Sequence, residues 1–210
     1  MRPRHGNSAV GGMMKFRNLA ACLLVLASLS ACSAALVPLS FDPKTKLGQA
    51  DELIYKSNRP GPAERLIVEA YEIYRERGDE EGMGRAYQLY GFFFLSQAVI
   101  NWSHVYTSAG FFDGSAYKDR FRSSAAYFER SADLFLKIGQ FDSATNVQFN
   151  GARAYSYAGE REKACQAYDR SLDSYRKNIA ANPGVKVNVP AGYSSFEALV
   201  SEEKGRAGCS

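Results

Sequence analysis

The chain after its first 31 residues holds few of the side chains that metal binding and nucleophilic catalysis require. His104 is the only histidine there, which excludes a two-histidine metal site, and no two cysteines stand at the close spacing of zinc ligands. A Ser-His-Asp triad would need His104 as its base, yet no Gly-x-Ser-x-Gly turn accompanies it. A lone histidine among aromatic residues is more typical of packing or of a surface, so we expect no metal site.

Two further patterns resemble catalytic motifs without completing them. The segment Gly82-Met83-Gly84 lacks the third glycine or the Gly-Lys-Ser sequence that a phosphate-binding loop needs. The acids Asp79-Glu80-Glu81 stand at the predicted start of a helix, where they offset the helix dipole. We therefore expect a protein that is not an enzyme and needs no cofactor, with a carboxylate-based enzyme as the distant alternative.

Side chains suited to binding recur on one face of a predicted helix. Their spacing of i, i+3, i+4, i+7 and i+11 aligns residues along a helix. The residues are Asn146, Phe149, Asn150, Arg153 and Tyr157. This face is a candidate partner-binding surface, and the alternative is a solvated polar face or a set of hydrogen bonds between helices.

A second candidate surface is a phenylalanine pair in the loop between two long predicted helices. Phe111 and Phe112 are flanked by Gly110 and Gly114. Aromatic residues at a loop tip can anchor in a partner's pocket. They can equally fold beneath the loop as part of the core, and the sequence leaves both alternatives open.

The elements that must position these residues are helices. No sustained alternation with a period of two supports strands, whereas apolar residues recur with the helical period. Gly78, Gly139 and Gly159 each stand where a helix should end. We predict an all-α protein with six helices at 47–57, 62–77, 81–107, 116–138, 141–158 and 161–180.

A repeat with a period of 40 residues underlies this pattern. Residues 128–135 match residues 168–175 in their aromatic, acidic, arginine and serine positions. In residues 145–178, Gly151-Ala152, Ala164 and Tyr168 occupy the small and aromatic positions of a tetratricopeptide repeat, which this stretch resembles. The resemblance implies an α-solenoid of about six antiparallel helices. The alternative is an irregular helical bundle.

By the same resemblance, Asn146, Asn150 and Arg153 would line a concave groove. In tetratricopeptide proteins, asparagines at matching positions hold the ligand backbone and a basic residue meets its carboxylate. The resemblance thus implies a protein partner.

The N-terminal 31 residues resemble the leader of a bacterial lipoprotein. Lys15 and Arg17 precede an apolar run of about eleven residues, too short to cross a bilayer, which ends in Leu29-Ser30-Ala31-Cys32. That motif is similar to a lipobox and implies a signal peptide over 1–31, with its true start at Met13 or Met14, and a lipid on Cys32. Ser33 is permissive for outer-membrane sorting, so we expect anchoring at the periplasmic face of the outer membrane. An ordinary cleaved signal is the alternative.

Charge and cysteine content further restrict the partners and the cellular compartment that we expect. The sequence has 26 basic and 22 acidic residues, and four of the basic ones lie in the leader, so the rest is neutral and nucleic acid is not expected as a partner. Cys165 and Cys209 remain outside the leader and Cys32. In an oxidising compartment they can form a disulfide, and two free thiols are the alternative.

The predicted organisation has three parts after the signal peptide. A lipidated tether covers 32–46, the helical domain covers 47–182, and a tail over 183–210 packs on the last repeat. The tail begins with an extended segment near 186–189. Ser194-Ser195-Phe196-Glu197 resembles a capping box and predicts a short helix to about Glu203.

Taken together, these features predict a non-catalytic periplasmic lipoprotein that binds a protein partner. The first role that we consider is an immunity protein that neutralises a secreted toxic effector, for example a type VI secretion phospholipase. The alternative is a scaffold or adaptor lipoprotein in the assembly of the cell envelope or of a secretion machine.

Overall fold

The computed structural model describes residues 39–185 and 189–209. Outside the described residues lie the predicted signal peptide, residues 32–38 of the predicted tether, among them Cys32, and residues 186–188 and 210. Within these ranges all regular structure is helical, which confirms the predicted all-α class. The helices are α1 (Pro43–Tyr55), α2 (Pro60–Arg77), α3 (Glu80–Leu95), α4 (Gln97–Asn101), α5 (Ser103–Ala109), α6 (Arg120–Lys137), α7 (Phe141–Tyr157), α8 (Arg161–Ala181) and α9 (Phe196–Arg206), and a 3-10 turn (Tyr117–Asp119) precedes α6.

The first helix begins four residues earlier than the sequence predicted. Asp42 is its N-cap and accepts a hydrogen bond from the Thr45 backbone N–H at 2.8 Å. Pro43 occupies the first turn, where its missing N–H costs nothing. The Asp-Pro pair is therefore a helix start, and the predicted tether through residue 46 was too long.

The single helix predicted over 81–107 is divided into α3, α4 and α5. Ser96 adopts an extended backbone conformation with ψ of 149°, and its side chain accepts a hydrogen bond from the Val99 N–H. A serine that caps a new helix competes with continuation of the old one. Trp102, with φ of −103° and ψ of 22°, then separates α4 from α5.

Successive long helices pack on one another and run antiparallel. α1 contacts α2, α2 contacts α3, α3 contacts α6, and α6, α7 and α8 follow in order. Between α2 and α3, for example, Tyr74 lies against Gly82, while Glu64 lies against Tyr90. The intervening α4 and α5 therefore form an excursion between two helices of the main stack.

The contact between α3 and α6 is built from glycines and serines one heptad apart. The Ser124 hydroxyl donates to the Gly91 carbonyl at 2.8 Å, and the Ser131 hydroxyl donates to the Gly84 carbonyl at 2.7 Å. A Cβ at Gly91 would lie 2.8 Å from the ring of Phe128. The two backbones can approach so closely because glycine leaves room for that ring.

The C-terminal tail returns to the last long helices. α9 packs on α8, and Cys165 and Cys209 are joined by a disulfide with their Cα atoms 5.6 Å apart. The N-cap of α9 is Ser195, whose side chain accepts from the Ala198 N–H, so the helix starts one residue later than the predicted capping box implies.

Candidate partner-binding site

The predicted binding face on α7 carries polar groups that largely satisfy one another. Asn146 is exposed, and its Oδ1 accepts from the Gln88 side chain at 3.4 Å. The Asn150 amide donates to the Asn146 carbonyl, and Arg153 donates to the Tyr157 hydroxyl at 3.1 Å. These residues do lie on one face, but the hydrogen bonds of their side chains are mainly local.

The chain's own α9 covers part of this face. The Phe149 ring packs against Phe196 of α9 and against Tyr168, so this partly buried residue lies against the core cluster. Arg153 lies 3.9 Å from the Glu203 carboxylate of the same helix. The face inferred from the tetratricopeptide resemblance is therefore partly covered from within, and Tyr157 on it remains 53% exposed.

The structure separates the two phenylalanines of the loop after α5. Phe111 is buried against Phe94 and Tyr106, with ring centroids 4.6 and 4.5 Å away. Phe112 is 59% exposed. Each of the two alternatives for the pair thus holds for one residue, since Phe111 is core and Phe112 remains at the surface.

Phe112 stands at the edge of an apolar cavity of about 520 Å³. The cavity lies between the start of α2, α5 and the loop that follows α5. Its apolar lining comes from Pro60, Pro62, Trp102, Val105, Phe111 and Phe112. We call the three exposed apolar residues at its rim, Trp102, Val105 and Phe112, the Phe112 surface.

Hydrogen bonds between different segments of the chain hold both sides of this cavity. The Trp102 indole N–H donates to the Asn58 carbonyl at 2.9 Å, which ties α5 to the loop between α1 and α2. On the other side, Asp113 accepts from the Ser115 N–H at 2.9 Å and from the Tyr127 hydroxyl at 3.0 Å. The loop that carries Phe112 is therefore held in a defined position.

A buried carboxylate lines the same cavity. Glu64 of α2 is only 2% exposed, and its Oε1 accepts from the Tyr90 hydroxyl at 2.7 Å and from the Phe112 N–H at 2.8 Å. Both of these hydrogen bonds fall on Oε1, and the Tyr106 hydroxyl also interacts with this carboxylate. Glu64 was not among the predicted site residues, although its spacing from Ile67, Tyr71 and Tyr74 places it on the buried stripe of α2.

Burial raises the pKa of Glu64 from its ordinary 4.5 to about 7. The hydrogen bonds from Tyr90 and the Phe112 N–H, and a weaker interaction with the Tyr106 hydroxyl, lower this pKa, whereas the negative charge of Asp113 raises it. Burial and then the Glu64 carboxylate also raise the pKa of Tyr106. The Tyr106 hydroxyl is buried, and its position satisfies no hydrogen-bond geometry with any described residue.

His104 is exposed on α5, where its ring stacks beside Trp102 at 6.1 Å. Among residues 39–185 and 189–209, no three His, Cys, Asp or Glu side chains are grouped as metal ligands would be. In the same part of the chain, no helix combines the length and the apolar character that crossing a bilayer requires. Comparison of the chain with protein-family models, with curated proteins and with solved structures gave no match.

Proposed function

We propose that the protein is a non-catalytic lipoprotein that binds a protein partner through the Phe112 surface. One observation carries this proposal, namely an exposed phenylalanine held at the rim of a 520 Å³ apolar cavity. Aromatic anchors beside pockets are where binding energy concentrates in protein interfaces. This surface is a better candidate than the face of α7, because α9 already covers part of the latter.

The helical arrangement proposed for this role is a degenerate tetratricopeptide-like solenoid. Antiparallel packing of each long helix on its predecessor supports it, as does the close approach of α3 and α6 at Gly84 and Gly91. Repeat architectures of this kind contact their neighbours in chain order and commonly present extended binding surfaces.

The proposed location is the periplasmic side of the outer membrane, with a lipid on Cys32. The lipobox Leu29-Ser30-Ala31-Cys32 supports the anchor. The disulfide between Cys165 and Cys209 supports an oxidising compartment, since such bonds rarely persist where thiols are kept reduced.

Affinity capture from crosslinked cells tests the binding proposal. The full chain is compared with Phe112→Ala and with Tyr157→Ala, which removes an equally exposed aromatic side chain from the face of α7. We expect Phe112→Ala to reduce recovery of a specific protein at least tenfold and Tyr157→Ala to leave it unchanged. The opposite pattern would place the partner on α7, and recovery that neither variant affects would refute the proposed surface.

Within this role, neutralisation of a secreted toxic effector is our first assignment and an envelope scaffold is the second. Expression of the wild-type chain should protect cells from the captured partner when that partner is directed to the periplasm. Phe112→Ala should protect them less. A general envelope defect on deletion, without any protection, would favour the scaffold.

A further inference from the structure

We propose that the cavity beside Glu64 is an ammonium site that receives a lysine side chain of the docked partner. This inference rests on the proposed function, because it names the group that the partner inserts. The feature that carries it is the Glu64 carboxylate, which an interface of apolar contacts at the Phe112 surface would not need.

Two polar groups at the cavity are incompletely satisfied by the described residues. The hydrogen bonds of normal geometry that Glu64 accepts, from Tyr90 and from the Phe112 N–H, both fall on Oε1. The Tyr106 hydroxyl, on a residue only 4% exposed, interacts with Glu64 but forms no hydrogen bond of normal geometry. Buried polar atoms of this kind are costly unless a partner satisfies them. A ligand that brings several donors would satisfy both atoms.

The charges around Glu64 also favour a cation in the cavity. The groups that face Glu64 are Tyr90 from α3, Tyr106 from α5, and the Phe112 N–H and Asp113 from the loop. Asp113 adds a second negative charge, and Tyr127 of α6 binds that carboxylate rather than Glu64. Arg59 lines the same cavity, has an interaction of its own, and forms no ion pair with Glu64. The potential at this end of the cavity therefore favours a cation.

The hydrogen bonds of Glu64 favour a lysine side chain over an arginine side chain as the cation. A guanidinium binds a carboxylate best through both of its oxygens at once. Glu64 Oε1 is already committed to Tyr90 and Phe112, so only Oε2 is open. An ammonium needs one carboxylate oxygen and can donate a second hydrogen bond to the Tyr106 hydroxyl. The aromatic and apolar walls then suit its four-carbon stem.

Titration of the full chain, purified in detergent, with n-hexylammonium tests the site. Trp102 is the single tryptophan of the sequence and lines the cavity, so its fluorescence reports occupancy directly. We expect saturable binding of n-hexylammonium that Glu64→Gln weakens at least tenfold. The exposed Glu76→Gln on the same helix is the matched control and should leave binding unchanged.

Three further measurements test the charge and the shape of the ligand. Affinity for n-hexylammonium should fall about tenfold per pH unit below 7, because protonation removes the Glu64 charge. The neutral n-hexanol should bind more weakly, with no effect of Glu64→Gln, and n-hexylguanidinium should bind more weakly than the ammonium. Equal binding of hexanol and hexylammonium, or insensitivity to Glu64→Gln, would overturn the ammonium site. Tighter binding of the guanidinium would overturn the choice of lysine.

Competition with the partner separates this inference from the proposed function. Saturating n-hexylammonium should reduce capture of the partner if a lysine occupies the cavity, and undiminished capture would overturn that assignment. If hexylammonium binds through Glu64 but Phe112→Ala does not reduce the capture of any protein, the proposed function is refuted. The assignment of the ammonium to a lysine of the partner is then refuted as well. If no amine binds while capture depends on Phe112, only the present inference fails.

Discussion

Glu64 is an acid in an environment that opposes its charge. Its surroundings provide two hydrogen bonds to one oxygen and a weaker interaction with the Tyr106 hydroxyl, and burial outweighs them. A carboxyl with a pKa near 7 exchanges its proton within the physiological range, so the site can respond to the ligand and to pH at once. At the residue scale, this side chain distinguishes the cavity from ordinary apolar packing.

The free energy of unfolding should depend on pH through Glu64. Because the folded-state pKa is raised, the folded protein holds this proton more tightly than the unfolded chain does. The stabilisation is fully present below about pH 4.5 and is lost as the pH rises to about 7. Glu64→Gln keeps an oxygen acceptor but cannot ionise. Relative to wild type, we expect the variant to gain about 3 kcal/mol between pH 4.5 and 8.

Urea denaturation of both proteins at several pH values measures this difference. Glu76→Gln is the control, because it makes the same substitution at an exposed position of the same helix. A constant difference between Glu64→Gln and wild type would contradict the raised pKa.

At the scale of elements, the contact of α3 with α6 sets the geometry of the fold. Hydroxyl groups of α6 bind backbone carbonyls of α3 at the two points where glycines admit the aromatic rings of α6. These polar contacts are buried and directional, so they define the register of the two helices as well as their distance.

Gly91→Ala should destabilise the protein by about 1–3 kcal/mol, because the added methyl group overlaps the buried Phe128 ring. Gly48→Ala is the matched control, since Gly48 lies in α1 with no atom near the position of a new Cβ. There, the higher helix propensity of alanine should stabilise the protein by up to about 1 kcal/mol. Thermal unfolding of both variants gives the comparison, and equal effects would contradict the close approach.

The disulfide should hold α9 on the helical stack. Replacement of both cysteines, Cys165→Ser with Cys209→Ser, should lower stability by about 3–4 kcal/mol on the chain-entropy model for a separation of 44 residues. Hydrogen exchange in α9 should rise more than in α3. Uniform exchange in both helices would show that packing alone keeps α9 in place.

Local signals predicted the helices well, and the departures have physical causes. Gly78, Gly139 and Gly159 each follow a helix and each adopt a positive φ, as a helix-ending glycine should. Ser96 was missed because an apolar run continues on both sides of it and hides its capping role. The cavity was not predictable, since Glu64 and Tyr106 are brought together by α2 and α5 from distant parts of the chain.

On the scale of the whole molecule, the proposed anchor and the proposed binding surface lie in different parts of the sequence. The anchor is proposed at Cys32, whereas the Phe112 surface belongs to the helical unit that begins at Ser40. The anchor therefore has a test of its own.

Cys32→Ser should move the protein from the membrane fraction to the periplasmic fraction, because several acyl chains supply the anchoring energy. Cell fractionation with immunodetection measures the change. Cys22→Ser is the matched control and should leave the protein in the membrane. Retention of Cys32→Ser in the membrane would contradict the lipobox assignment.

The bond between Cys165 and Cys209 also has a consequence for proteolytic cleavage. The connection between α8 and α9 carries the exposed residues Asn182 and Gly192, and it lies inside the covalent ring that this bond closes. A protease that cuts this connection severs the backbone without releasing a fragment. Cleaved molecules should therefore run as one chain without reductant and as two with it, and α9 should survive a break that would otherwise detach it.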